Sequence, residues 1–125
     1  VFDLKRRTVT LSNSGLPYPI RATAESVQQI ESPGVPLGSF YGTTYDEIVL
    51  PLGHDEVFVF CSDGVSEAMN RKGEEFTSAR AVKVVEASRT LPASEIVQNL
   101  INAVEDHRAG ANPNDDMTVV VVRFA

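Results

Sequence analysis

Val57-Phe58-Val59-Phe60-Cys61-Ser62-Asp63-Gly64 is the stretch on which the fold turns. Its apolar residues run without polar alternation, which predicts a strand over Glu56–Cys61 with both faces buried. Asp63-Gly64 follows directly. A second run of this kind, Val119-Val120-Val121-Val122, lies within a strand predicted over Met117–Phe124, and Asp115-Asp116 comes just before it. If the two strands are neighbours in one sheet, the acidic ends lie side by side on rigid backbone. Asp carboxylates are short, hard oxygen ligands suited to Mg²⁺ or Mn²⁺, and Gly64 lets backbone or a water come close. Such a site can polarise a phosphoryl oxygen and generate hydroxide near neutral pH. On spacing alone the plain reading stands beside this one: Asp-Gly is a common turn pair, and Asp-Asp before a strand can simply cap or solvate a loop.

Outward from this stretch, the first half of the chain reads as β structure. Val1–Leu4 and Thr8–Leu11 form a hairpin across Lys5-Arg6-Arg7, which reads as a solvated turn. Ser12–Gly15 is a turn cluster. Pro17 and Pro19 favour extended backbone suited to an edge. Ser26–Ile30 alternates weakly, Ser32–Gly38 is a breaker-rich loop, and Tyr45–Leu52 is a further strand joined to the apolar run by Gly53-His54-Asp55. The second half switches to helices. Ala79–Ala87 carries Val82 and Val85 on one stripe, with Thr77 or Ser78 as cap. Ala93–His107 places Val97, Leu100, Ile101 and Val104 at helical spacing behind Pro92. Strands, then helices, then a return to the sheet indicate an α+β fold with mainly antiparallel sheets.

Composition narrows the function classes. The chain has 125 residues, 17 acidic against 11 basic, and a net charge of -6. An acidic surface lacks the footprint of a general nucleic-acid binder. No apolar run approaches the roughly 20 residues that cross a bilayer, so no membrane partner is expected. One cysteine, Cys61, excludes an internal disulfide, and no targeting peptide is evident. These features lead us to expect a cytoplasmic protein. No GxGxxG or GxxxxGK[ST] loop supports a nucleotide site.

Six segments in order carry a family resemblance: LSNSGLPYP (Leu11–Pro19), GVPLG (Gly34–Gly38), LPLGHD (Leu50–Asp55), FVFCSDGVSEAMN (Phe58–Asn70), GEEF (Gly73–Phe76) and DDMTVV (Asp115–Val120). Together they resemble the C-terminal part of the metal-dependent, type 2C (PPM) serine/threonine phosphatase domains, in the SpoIIE-like and RsbU-like bacterial branch. The resemblance implies part of a four-layer αββα sandwich. It implies a dinuclear Mn²⁺ or Mg²⁺ centre at which a metal-bridging water attacks phosphorus. By motif, Asp63 and Asp115 correspond to metal ligands, Gly64 to the glycine beside the first of them, and Asp116 to an auxiliary carboxylate. The chain departs from the pattern at Leu16, where the family has His, and at Thr77, where it has Gly. The family's first metal motif, of the D-x-x-GHG type, has no counterpart. Residues 1–125 are therefore expected to form the C-terminal portion of one phosphatase domain, the portion with the first motif being absent from the chain.

The implied substrate is a phosphoprotein, in this branch often an anti-sigma-factor antagonist, with an upstream sensor or regulatory domain attached. The implied setting is bacterial signal transduction, and the fragment alone is expected to be inactive. The alternative is a non-catalytic protein-interaction module with a degenerate phosphatase fold. A part of a sandwich is also expected to expose an apolar patch or to self-associate. Other residues have plainer readings: His54 an exposed turn residue, Cys61 an inert small hydrophobe, Glu67 a helix-start carboxylate, and His107 a partner of its helix dipole. Arg71-Lys72 is a small basic spot near the signature loop.

Overall fold

The apolar run at Val57 becomes an inner strand of a four-stranded sheet. The computed structural model describes residues 1–125. In chain order the elements are β1 Phe2–Asp3, β2 Thr8–Leu11, β3 Ile20–Ala22, β4 Val27–Gln29, β5 Ile48–Pro51 and β6 Val57–Cys61. Then come α1 Asp63–Ser66, α2 Ser78–Ser88, α3 Ala93–Arg108 and β7 Val119–Arg123. One sheet has the order β1-β2-β5 and the other β4-β3-β6-β7. Every strand pairing is antiparallel.

Side-chain alternation along β6 builds the layers. Val57 and Val59 face one way, into a core with Val85 of α2 and Ile96, Leu100 and Val104 of α3. Phe58 faces the other way and packs with Val9 and Leu11 of the three-stranded sheet and with Leu52 just after β5. The chain thus stacks sheet on sheet on helices, an α+β arrangement supplying three layers of an αββα sandwich. Phe58 is fully buried, so its truncation to alanine would cost about 3–5 kcal/mol. Phe2 meets it edge-on at 5.5 Å between ring centroids and sits 5.0 Å from Phe124. The helices follow the same logic, since Ile96, Leu100, Val104 and Arg108 make the single buried stripe of α3.

A half-buried ion pair bridges the sheets. Arg21 of β3 holds Glu56 at 2.8 Å and also donates to the Pro51 carbonyl of β5 at 2.7 Å. Glu56 needs the space that Gly53 leaves, because a Cβ there would lie 2.6 Å from its Oε1.

Several elements differ from the sequence expectation. Ile20–Ala22 is an inner strand between β4 and β6, with the prolines just before it rather than on an edge; its three residues are too few for periodicity to show. Asp63–Ser66 is a helical turn. Thr77 stands at the α2 N-cap position without a side-chain cap bond, and its φ of 73° with ψ of 151° is a region that glycine favours. Arg7 is no solvated turn residue, since its guanidinium donates to the carbonyls of Leu52 and Gly53 at 3.2 and 2.7 Å. His107 ties α3 to the preceding hairpin, its Nε2 donating to the Glu74 carbonyl at 2.8 Å. No helix is long and apolar enough to cross a membrane. Leu16 and Val120 are 60% and 49% exposed, leaving apolar surface at the end of the sandwich where β6 finishes.

Candidate functional site

β6 and β7 are antiparallel neighbours, with Cys61 opposite Val119. The end of one strand and the start of the other therefore coincide, and the two acidic segments meet there. Ser62 closes the junction. Its N–H donates to the Thr118 carbonyl at 3.0 Å, and its Oγ accepts from the Thr118 N–H at 2.9 Å. The same hydroxyl donates to the Asp116 carbonyl at 3.4 Å. Asn114 adds a second tie, its Nδ2 donating to the Glu67 carbonyl at 3.1 Å. Backbone contact completes the clamp: a Cβ built on Gly64 would lie 2.0 Å from the Asp116 carbonyl oxygen. Glycine is what lets the α1 turn seat against the β7 approach.

This clamp seats the Asp63–Gly64 turn against the backbone of Asp116, next to Asp115 in the chain. All three carboxylates are exposed, and none has a cationic partner, since the ion pairs of the chain lie elsewhere. Asp115 Oδ1 accepts the Asp116 N–H at 2.8 Å, which leaves its second oxygen free. Such donors suit a hard divalent cation. They form a partial set: no group of three or more His, Cys, Asp or Glu residues is arranged to hold a metal ion.

Other sequence-selected residues fall around or away from this end. Leu16, the residue in the place of the family His, lines an apolar groove with Phe60, Cys61 and Val120 that runs to Ser62 and Thr118. Two motif segments, Leu11–Pro19 and Gly34–Gly38, pack on one another, a Cβ on Gly34 meeting the Asn13 carbonyl oxygen at 1.9 Å. Cys61 is partly buried in the groove, and burial pushes its thiol up from 9.0 to about 11, so it is no nucleophile at neutral pH. Glu67 is exposed and contributes its carbonyl to the clamp. Arg71 and Lys72 are exposed in the turn of the Met69–Glu75 bridge. His54 is exposed at the opposite end of β6 and does not join the acidic cluster. Sequence reasoning missed Ser62 and Asn114. Their signal was position alone, one between the apolar run and Asp-Gly, the other just before Asp115-Asp116.

Comparison with known proteins places the chain and its fold. A family model described as Stage II sporulation protein E (SpoIIE) matches residues 1–125. Among curated protein sequences none matches the chain. The SiaA-PP2C domain of Pseudomonas aeruginosa superposes with a TM-score of 0.81 at 20% identity, over 97% of this chain and 48% of that one. The PP2C phosphatase domain of SpoIIE from Bacillus subtilis, with a fragment of its regulatory domain, gives 0.80 at 23% identity, over 98% and 36%. A Mn-presoaked structure of the phosphatase domain of that protein gives 0.78 at 19% identity, over 99% and 54%. The chain thus spans between about a third and about half the length of these structures.

Proposed function

The chain belongs to the SpoIIE family, and from that premise we propose that it is the C-terminal portion of a metal-dependent protein serine/threonine phosphatase domain. In this reading Asp63 and Asp115 ligate Mn²⁺ or Mg²⁺, Asp116 assists, and Gly64 permits the close approach. The observation that carries the proposal is the clamp. Ser62, Gly64 and Asn114 hold two acidic segments, 52 residues apart in sequence, against one another at one exposed end of the sheet. Bound there, a divalent metal supplies a Lewis acid for a phosphoryl oxygen and a water that is nucleophilic near neutral pH. The chain's own contribution is to hold the carboxylates on the paired ends of β6 and β7, so that little reorganisation is needed when the cation arrives.

The first metal motif belongs, on this reading, to residues outside this chain. The Mn soak of a similar domain favours manganese as the metal to test first. The substrate is a phosphorylated serine or threonine on a partner protein, an anti-sigma-factor antagonist in the resemblance that the motifs carry, with an upstream regulatory domain and a cytoplasmic setting.

The test compares this chain with a version extended to the length of its structural relatives. With Mn²⁺, the extended protein is expected to hydrolyse p-nitrophenyl phosphate and this chain alone to do so little or not at all. Asp63→Asn or Asp115→Asn in the extended protein should abolish turnover. Unchanged kcat/KM in either variant removes that residue from the ligand set, and full activity in this chain alone overturns the division of the site. A second reading, a non-catalytic interaction module, is favoured by one observation: no group of three or more ligand side chains is arranged to hold a metal ion. It gains ground if the extended protein binds Mn²⁺ without hydrolysing phosphate esters.

A further inference from the structure

At the end of the sandwich away from the acidic cluster, a cavity of about 360 Å³ opens between the β3–β4 turn and the α2–α3 turn. Val57 begins β6 there, opposite both Ala22 and Arg123. Alanines at positions 22 and 24 leave the floor empty, and Arg89 and Arg123 form the wall. We propose that this cavity is an oxyanion site of the phosphate class, with Arg89 and Arg123 as its paired ligands.

Three features carry the assignment. First, both arginines are half-buried and neither has a carboxylate partner, whereas Arg6, Arg21 and Arg108 each have one. Arg7, Arg71 and Arg80 lack one too, but Arg89 and Arg123 are the pair that lines a common cavity. Second, both are anchored through a single nitrogen to backbone. Arg123 Nη1 donates to the carbonyls of Arg89 and Leu91 at 2.6 and 3.3 Å, and Arg89 Nη1 donates to the Thr23 carbonyl at 3.3 Å. A guanidinium has five N–H donors in a rigid fork, so each keeps free donors while its position is already fixed. Third, the exposed Thr90 stands on the same wall, where its hydroxyl adds a neutral donor. Helix capping by Arg123 accounts for one nitrogen of one arginine and leaves the rest of the pair unexplained.

Asp55 also lines the cavity without pairing with either arginine. Its carboxylate opposes an anion and makes the site weak by design of charge. It also gives the proposal a second, opposite-signed test. The space exceeds what a bare phosphate fills, so a free phosphate and a phosphate monoester share the required chemistry.

The experiment titrates this chain with sodium phosphate and, separately, with O-phosphoserine, at constant ionic strength made up with chloride. Backbone amide shifts and thermal unfolding are followed together. Saturable shifts are expected at Thr23, Ala24, Arg89, Thr90 and Arg123, with the unfolding midpoint raised by about 5 °C at ten times Kd. Arg89→Gln, which loses one long backbone bond, should weaken binding about tenfold or more, and Asp55→Asn should tighten it. Tighter binding of O-phosphoserine identifies a monoester as the occupant, and tighter binding of phosphate identifies the free anion. Shifts that never saturate, that centre on the acidic cluster or on Arg71-Lys72, or that persist unchanged in Arg89→Gln overturn the proposal. Because the cavity lies away from Asp63 and Asp115, these readouts stand or fall independently of the phosphatase reading.

Discussion

Replacing Gly64 with alanine sets two effects of known sign against each other. Gly64 lies inside α1, where alanine is favoured over glycine by about 1 kcal/mol. If nothing else mattered, the variant would be slightly more stable. The new Cβ, however, would lie 2.0 Å from the Asp116 carbonyl oxygen and 2.8 Å from the carbonyl carbon. Reaching an ordinary contact of about 3.4 Å requires the β7 approach to move by about 1.4 Å. The obstructing atoms are backbone, held by Ser62 on both sides, so no side chain can swing aside. Overpacking of this kind costs about 1–3 kcal/mol, and separation of the Ser62–Thr118 pair adds to it. The net expectation is a loss of about 2 kcal/mol, or about 8 °C in midpoint for a chain of this length. Thermal unfolding followed by circular dichroism measures it. Amide hydrogen exchange at Ser62 and Thr118, faster in the variant, locates it. A midpoint equal to or above the parent's, with exchange unchanged, would refute the close approach and the clamp built on it.

Three further predictions rest on other parts of the fold. Thr77→Gly relieves a positive φ at a β-branched residue, worth about 1–3 kcal/mol. Against this stands about 0.5–1 kcal/mol of glycine entropy, so the midpoint should rise by several degrees; a fall counts against the strain. Glu56→Gln removes the carboxylate from a half-buried arginine and should cost about 2–3 kcal/mol in urea unfolding. Adding Arg21→Met should recover part of that loss, and strict additivity would show that the pair is not coupled. The Cys61 thiol is raised to about 11 from 9.0 by burial. The folded state therefore disfavours the thiolate. Its contribution is intact below pH 9 and is lost between about pH 9 and 11, by up to about 2–3 kcal/mol. Cys61→Ala should flatten that part of the stability profile relative to the parent, and identical slopes would remove Cys61 as a cause.

Much of the fold was legible because burial leaves its pattern in sequence. The unbroken apolar runs at Val57 and Val119 marked strands, and the structure pairs them residue for residue; Val57, Phe58 and Val59 are buried on both faces of β6, whereas β7 has no fully buried residue and Val120 is exposed. The helical stripe through Leu100 and Val104 marked α3, and its buried face contains both. The segment Ile20–Ala22 gave no such signal, because three residues cannot display a period and Arg21 interrupts the apolar row. The α1 turn was hidden for a related reason: Asp-Gly is a turn pair in most contexts, and only the seat against Asp116 distinguishes this one. At the candidate site, the carboxylates could be named from their position at strand ends. Ser62 and Asn114 could not, since a hydroxyl or carboxamide that bonds to backbone 50 residues or more away or nearly so has no local signature. The substitution of Thr77 for the family glycine was visible in sequence, but its cost became visible only with its backbone angles.

The single thiol has a use that follows from where it sits. Cys61 is the only cysteine, and it ends β6 one residue before the Ser62–Gly64 turn that seats against Asp116. With the thiol at about 11, roughly one folded molecule in a thousand carries a thiolate at pH 8. Once β6 and β7 separate, the thiol returns toward 9.0, and roughly one in ten does. A disulfide reagent added in excess therefore reads the junction as a clock. Its labelling rate reports how often these strand ends part, free of any contribution from a second sulfur. A cation that locks the acidic ends together should slow that clock without touching the sulfur at all.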